Sequence, residues 1–167
     1  FYSSFQGYII GIISCESRIA VMEKNDSNLS LEELFKQAQG LVKRQIFEDA
    51  IKIYHQIIAH DSALAQAYIE LGDIFFTVKD FENAIHQYRN GLEIRPRSPY
   101  LHFKLGQIER NKENWEISVD YLTKAIAFNP KNPQFHKELG EVYLAQDRLN
   151  DALEAFQTAL KLKPDIQ

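Results

Sequence analysis

Glycine and proline recur in this chain at a fixed spacing of 34 residues. Three glycines and all five prolines fall on this spacing: Gly72, Gly106 and Gly140, then Pro96, Pro130 and Pro164, then Pro99 and Pro133. Counted from Leu31, the period divides the chain into four units, 31–64, 65–98, 99–132 and 133–166. Such a repeat constrains the fold strongly, because every unit must adopt the same local structure and bury its apolar face against its neighbours.

Apolar side chains within each unit are spaced by threes, fours and sevens, which is the period of a helix. In the second half of the units they occupy positions 17, 20, 24 and 28: Phe47, Phe81, Trp115 and Leu149; Ala50, Ala84, Ser118 and Ala152; Tyr54, Tyr88, Leu122 and Phe156; Ile58, Leu92, Ile126 and Leu160. The first halves carry a similar pattern, so each unit is predicted to form two helices. A glycine inside a helix costs about 1 kcal/mol. We therefore interpret the repeated glycine as room for a large side chain of the paired helix.

The second unit, AQAYIELGDIFFTVKDFENAIHQYRNGLEIRPRS, resembles a full tetratricopeptide repeat, and the fourth, PQFHKELGEVYLAQDRLNDALEAFQTALKLKPDI, is similar to it. The third departs from the family pattern at Glu109 and Ser118, and the first departs at Gln37, Ala38 and Ser62. The resemblance implies an all-α fold, a right-handed α-solenoid of tandem helix-turn-helix hairpins. It also implies that the first helices line a concave groove and that the second helices form the convex back.

We expect a tetratricopeptide domain over residues 31–166, preceded by an N-terminal segment, 1–30. Ser30 and Glu33 have the spacing of a capping box, and Leu29 with Leu34 has that of a hydrophobic staple, so the first helix is predicted to begin there. At the other end, three apolar side chains of the last helix are expected to lie partly uncovered: Leu153, Phe156 and Leu160. This expectation suggests either a longer polypeptide or self-association through the last repeat.

Composition narrows the class of partner and the compartment. The formal net charge is -4 and basic residues are not clustered, which argues against a nucleic-acid partner. The apolar stretch 7–14 is shorter than the roughly 20 residues that cross a bilayer, and no basic residue precedes it as in a signal peptide. The single cysteine, Cys15, has no partner for an internal disulfide, which favours a reducing, cytoplasmic location.

The sequence offers no set of residues that predicts catalysis, a metal site or a cofactor. Cys15 has no neighbouring histidine to activate it. His102 and His136 share position 4 of their units, where packing between helices explains them, and no third ligand stands at a zinc-like spacing. Trp115 is interpreted as a core residue, because its repeat equivalents are apolar, and Trp115→Ala is expected to cost about 3 to 5 kcal/mol.

The resemblance implies that ligands contact positions 2, 5, 9, 12 and 13 of each first helix. On this basis the predicted peptide-binding residues are Phe35, Gln39, Ile69, Asp73, Phe76, Tyr100, Phe103, Gln107, Arg110, Lys137, Glu141 and Leu144. Their many large apolar groups favour a peptide with apolar anchors. Replacing Tyr100 and Phe103 together by alanine is expected to abolish binding without unfolding the chain.

The same surface does not match the lysine, arginine and asparagine set with which chaperone-binding members of the family clamp a terminal carboxylate. It also lacks the asparagine ladder of the sugar-transferring members. Position 6 instead alternates in sign, which we interpret as charge pairing from repeat to repeat: Lys36, Glu70, Lys104 and Glu138.

The sequence therefore predicts a protein-binding scaffold or adaptor that is not an enzyme by itself and that holds a peptide segment in its groove. The alternative is a regulatory or substrate-recruiting arm of a larger enzyme, such as a bacterial glycosyltransferase or sulfotransferase. That alternative rests on analogy within the family alone.

Overall fold

The computed structural model describes residues 29–162, and over that range it consists of α-helices without strands. They form four pairs: α1 Leu31–Lys43 and α2 Phe47–His60, α3 Ala65–Thr77 and α4 Phe81–Ile94, α5 Pro99–Asn111 and α6 Trp115–Phe128, α7 Pro133–Ala145 and α8 Leu149–Leu162. Each helix packs against the next one in sequence. The prediction of two helices per unit in an all-α solenoid is confirmed. The N-terminal segment 1–28, with Cys15, and residues 163–167 lie outside the described residues.

The repeated glycines stand where the two helices of a pair approach most closely. A Cβ atom added at Gly72 would lie 2.5 Å from the ring of Tyr88, and one at Gly106 would lie 2.8 Å from Leu122. At Gly140 the neighbouring ring is that of Phe156, at 2.7 Å. These distances are too short for a real side-chain carbon, so the prediction that glycine makes room for the large residue at position 24 is confirmed.

The turn between the two helices of each pair has the same geometry in all four repeats. Position 15 is left-handed, with φ near 60°, at four residues: Gln45, Lys79, Glu113 and Asp147. The following N–H then donates to the carbonyl five residues earlier, as in Ile46 to Leu41 at 3.0 Å. This arrangement, the Schellman motif, satisfies carbonyls at the end of each first helix and sets one entry angle for every second helix.

The start of the first helix also follows the sequence prediction. The Ser30 Oγ accepts from the backbone N–H of Glu33, and the Glu33 carboxylate accepts from the backbone N–H of Ser30 at 2.9 Å, which confirms the capping box. Leu29 packs against the core cluster that contains Leu34. The first helix is therefore fixed at its start by both polar and apolar contacts.

The departures of the third repeat from the family pattern are accommodated by hydrogen bonds. Ser118, fully buried, donates through its hydroxyl to the carbonyl of Gly106 at 2.8 Å. Glu109 is also buried and accepts from the Asn114 side chain at 2.8 Å. A polar group removed from water needs such a partner, so both substitutions preserve the helix pair.

Helix α8 exposes apolar side chains whose equivalents in the earlier repeats are buried or half-buried. Leu149, Leu153 and Leu160 are 63%, 56% and 50% exposed, whereas Phe156 is half-buried. Among the described residues, no helix has the length and apolarity needed to cross a membrane.

Candidate functional site

Neighbouring first helices bond to each other through polar side chains across three junctions. We name them the first junction (α1 with α3), the second junction (α3 with α5) and the third junction (α5 with α7), and their common surface the groove face. At each junction position 9 of one repeat meets position 6 of the next, 31 residues later. The three contacts are Gln39 Nε2 to Glu70 Oε1 at 3.0 Å, Lys104 Nζ to Asp73 Oδ1 at 3.4 Å, and Gln107 Nε2 to Glu138 Oε2 at 3.0 Å.

This pattern corrects the interpretation of the alternating charges at position 6. Lys36 pairs with Glu32 in its own helix, at 2.8 Å, and Lys104 pairs with Asp73 at position 9. No ion pair joins two position-6 residues within the part of the chain that the structure describes. The reason is geometric, because the residue that faces position 6 across a junction lies 31, not 34, residues earlier.

The second junction is organised around the carboxylate of Asp73. The Tyr88 hydroxyl, from helix α4, donates to one of its oxygens at 2.6 Å. The Tyr100 hydroxyl donates to both oxygens, at 2.8 and 2.7 Å. The Lys104 ammonium, 4.5 Å from the centre of the Phe76 ring and 5.4 Å from that of Tyr100, completes the cluster. Cation and aromatic rings attract each other in this geometry. Phe76 and Lys104 thus fill the space between α3 and α5.

The third junction is filled by Arg110. Its Nη1 donates to Glu141 at 2.6 Å, and its Nε lies 2.8 Å from Oε1 of Glu138. Within the described residues neither Nε nor Oε1 has a directional hydrogen bond, so the second contact is an ion pair. Glu138 is only 3% exposed, and Gln107 supplies its remaining bond. The buried carboxylate therefore depends on Arg110 for its compensating charge.

The first junction contains an open cleft of about 260 Å³. Its lining comes from α1, α2 and α3: Gln39, Val42, Lys43, Phe47, Tyr54, Glu70, Asp73, Ile74 and Thr77. Glu70 accepts hydrogen bonds from the hydroxyl of Tyr54 and the amides of Gln39 and Gln66. No cation pairs with Glu70 among residues 29–162. The cleft thus combines an apolar wall with a carboxylate that is hydrogen-bonded but not neutralised.

Three tyrosines hold the carboxylates of the first and second junctions in place. Burial, together with the bond to Glu70, raises the pKa of Tyr54 above its ordinary value. Burial and the negative charge of Asp73 do the same for the pKa of Tyr88, and burial and the bond to Asp73 raise the pKa of Tyr100. These hydroxyls consequently remain protonated donors.

The predicted site residues differ in how far they are accessible. Tyr100 and Leu144 are exposed, at 38% and 51%, and Phe35 and Phe76 are half-buried. Ile69 and Phe103 are only 9% and 8% exposed, so they belong to the packing between helices and are not open anchors. Five of the remaining predicted residues carry polar contacts between first helices: Gln39, Asp73, Gln107, Arg110 and Glu141. The sixth, Lys137, pairs with Glu141 within its own helix.

Phe103 illustrates why position 5 was misjudged. Its ring packs on that of Phe135, with centroids 4.9 Å apart, because position 3 of the next repeat is an aromatic here. The double replacement of Tyr100 and Phe103 would therefore open the core. Seven residues that line the cleft are missing from the predicted set: Val42, Lys43, Phe47, Tyr54, Glu70, Ile74 and Thr77. The 31-residue spacing between Gln39 and Glu70 was the signal that could have identified Glu70.

The structure also shows the surroundings of His102, considered as a metal ligand, and of Trp115, predicted as a core residue. His102 is buried and packs on Tyr121 and Phe128, with its Nδ1 2.9 Å from the Ser98 carbonyl. Over residues 29–162 no three potential ligands stand close enough to hold a metal ion. Trp115 packs against the core cluster of the third and fourth repeats but is only partly buried, so the predicted cost of removing it is an upper limit.

Comparison with known proteins agrees with this architecture. Two tetratricopeptide repeat families match, one described as "Tetratricopeptide repeat" over residues 103–165 and one as "TPR repeat" over residues 72–112. No curated protein matches the sequence.

Several solved structures share the fold. MamA from Desulfovibrio magneticus RS-1 has a TM-score of 0.74 at 17% identity, covering 83% of this chain and 78% of that one. YrrB, described as a TPR protein with an unusual peptide-binding site, has a TM-score of 0.70 at 20% identity, covering 87% and 74%. PilF from Pseudomonas aeruginosa has a TM-score of 0.72 at 21% identity, covering 81% and 62%. At these identities the likeness concerns the fold, and with the two family matches, which together span residues 72–165, it shows that the chain belongs to the tetratricopeptide repeat proteins.

Proposed function

We propose that the chain is a protein-interaction scaffold that binds a peptide segment, extended or helical, along its groove face. The observation that carries this proposal is the cleft of about 260 Å³ at the first junction, which is lined by two of the predicted residues, Gln39 and Asp73. Exposed apolar groups continue from it along the groove face, at Tyr100 and Leu144. Concave sites of this kind, apolar with a few polar groups, suit a bound ligand.

The proposed activity is binding alone. Tetratricopeptide repeats are typically non-catalytic scaffolds, and at the second and third junctions acidic and basic groups of the groove face pair with each other. A cytoplasmic location is part of the same proposal and rests on the single cysteine of the sequence. YrrB offers a precedent in its description as a peptide-binding member of the fold.

The test uses a random peptide display library selected on the immobilised full chain, followed by measurement of Kd for the enriched peptides. Tyr100→Ala combined with Leu144→Ala removes exposed groove side chains without opening the core, and should weaken binding at least tenfold. Ile117→Ala is the matched control, because Ile117 is 49% exposed on the second helix α6, away from the groove face. Equal affinity of the groove variant and the control would contradict the proposal.

We also propose self-association through α8, supported by the exposure of Leu153 and Leu160. Positions 3 and 7, which pack inward in the later first helices, are the exposed Glu33 and Gln37 in α1. A head-to-tail stack would press these polar groups onto leucines, so the contact should join α8 to α8 of a second copy. Light scattering should show a dimer that Leu153→Glu dissociates. A monomer at all concentrations would exclude the contact.

A further inference from the structure

The first and third junctions are built from the same positions, and the difference that bears on charge most directly is the side chain at position 12. Gln39, Glu70 and Asp73 at the first junction correspond, 68 residues later, to Gln107, Glu138 and Glu141 at the third. At both junctions the glutamine amide donates to the position-6 carboxylate at 3.0 Å. The repeat therefore places two carboxylates at equivalent points of both junctions.

Position 12 distinguishes the two junctions. At the third junction it is Arg110, whose guanidinium contacts both carboxylates, at 2.8 Å and 2.6 Å. At the first junction it is Val42, which lines the open cleft together with Glu70 and Asp73. The volume that the arginine side chain occupies at one junction is thus an open cleft at the other, and the acidic groups around it are retained.

We infer that the cleft of the first junction receives an arginine side chain of the bound peptide, with its guanidinium between Glu70 and Asp73 as Arg110 lies between Glu138 and Glu141. The inference deepens the proposed peptide-binding function and rests on it. Charge complementarity supports the choice, because Glu70 has hydrogen-bond donors but no cation among the described residues. Arginine presents several donors in a planar fork that suits two carboxylates.

The apolar part of the cleft fits the rest of an arginine side chain. Val42, Phe47 and Ile74 line it beside the polar end, so the methylene groups of the stem can be buried while the charge reaches Glu70. Asp73 already has a lysine neighbour, Lys104 at 3.4 Å. The third junction shows that this does not prevent arginine binding, because Glu141 accepts Arg110 while Lys137 lies 3.3 Å away.

One residue of the cleft opposes the proposed ligand. Lys43 lies in the lining at position 13, where the third junction has the neutral Asn111. Its positive charge should weaken the binding of a cation, and Lys43→Asn should strengthen that binding severalfold. This substitution makes the first junction more like the third and so tests the equivalence directly.

The test probes the cleft without a peptide. n-Butylguanidinium is titrated into the isotope-labelled full chain, and amide shifts are followed by NMR, with n-butylurea as the neutral probe of similar shape. The guanidinium should produce saturable shifts around residues 42, 47 and 70, and the urea should not. Glu70→Gln should weaken the binding about tenfold, because it removes the charge and keeps the acceptor for Tyr54.

Two further variants complete the design. Val42→Arg should fill the cleft from within, as Arg110 does, and abolish the shifts, while circular dichroism confirms the fold. Glu32→Gln, which neutralises an exposed carboxylate outside the cleft, should leave affinity unchanged. Equal binding of n-butylurea or n-butylammonium, or an unchanged affinity in Glu70→Gln, would overturn the assignment.

The peptide selection separates this inference from the function on which it rests. Selected peptides that require Tyr100 and Leu144 but contain no arginine would preserve the scaffold and overturn the arginine site. Guanidinium binding at the cleft without any enriched peptide would leave the site and overturn the peptide-binding function. Enriched peptides with a common arginine, lost on Val42→Arg, would support both.

Discussion

The first and third junctions show how one fold provides both a sealed contact and an open one. At the third junction Arg110 neutralises a carboxylate that is 3% exposed and also contacts Glu141. At the first junction the acidic groups are retained, but Glu70 has only tyrosine and glutamine partners among the described residues and a cleft remains. The two junctions are built from equivalent positions, and Arg110 at one corresponds to Val42 beside the cleft at the other.

Removing the cation of the sealed junction should have the largest effect. Arg110→Met leaves Glu138 buried without a compensating charge, which should lower the free energy of unfolding by about 3 kcal/mol, the lower end for a broken buried pair. Urea denaturation measures it. Replacing both Arg110 and Glu138 by methionine should recover most of the loss. A single variant as stable as the parent would show that the two junctions do not differ in the way described.

Replacing the aromatic residue at position 17 by alanine should also destabilise the chain more at Trp115 than at Phe47. Trp115 packs on the core cluster of the third and fourth repeats, whereas Phe47 packs on the first core cluster and also lines the open cleft. Because Trp115 is only partly buried, Trp115→Ala should cost about 2 kcal/mol, less than for a fully buried aromatic. Phe47→Ala should cost about half as much. The reverse order in thermal or urea melts would contradict the assignment of the cleft to the first junction.

Alkaline pH should weaken the packing at the first and second junctions, where position 24 is a tyrosine. It should not weaken the third junction, where position 24 is Leu122 and carries no ionisable group. Burial raises the pKa of Tyr54 and Tyr88 in the folded chain, while the unfolded chain ionises near the ordinary value of 10.0. The stability that these two hydroxyls contribute is therefore complete below pH 10. It is lost as the pH rises further, because the tyrosines of the unfolded chain lose their protons before those of the folded chain. Each tyrosine should lower stability by about 1.4 kcal/mol per pH unit above that point.

The control for this pH effect is a single hydroxyl. Tyr54→Phe should flatten the slope above pH 10, as seen in urea melts at several pH values, and Tyr143→Phe, whose hydroxyl contacts neither Glu70 nor Asp73, should leave the slope unchanged. Identical slopes for the parent and Tyr54→Phe would mean that folding does not raise the pKa of Tyr54.

The smallest effect is expected at the helix cap that precedes the first junction. Ser30→Ala removes one side of the capping box and should cost about 1 kcal/mol. Backbone and side-chain bonds from Ser30 lower the pKa of Glu33, so its contribution to the cap should be lost as the pH falls through that lowered value. Hydrogen exchange should accelerate in α1 and remain unchanged in α7. Equal acceleration in both helices would indicate that the junctions are not independent.

The helical framework was accessible from sequence because it depends on short-range rules. Glycine opposite a large residue, proline at helix starts and the Ser30 capping box each have a local physical cause, and the structure confirms them. The groove was less accessible. Ile69 and Phe103 were predicted as open anchors, but their burial depends on which side chains the next repeat presents, and Phe135 covers Phe103.

The contacts across the junctions were missed for a related reason. A 34-residue period invites comparison of equivalent positions, whereas neighbouring first helices meet at a spacing of 31 residues, as Gln39 meets Glu70 and Arg110 meets Glu141. Counting at that second spacing predicts polar pairs from sequence. It does not predict the cleft itself, whose size depends on the volumes of Val42, Phe47 and Ile74 together.

If the cleft of the first junction receives an arginine as inferred, the order of the repeats determines the charge of the ligand. Suppose that recombination between repeats removed residues 65–98, one whole period. Helix α1 would then pack against α5, and Val42 would face Lys104 and Gln107 in place of Glu70 and Asp73. The cleft would change from acidic to basic without a single amino-acid substitution. Gene rearrangement in such arrays can therefore alter partner preference in one step, while each helical hairpin remains intact.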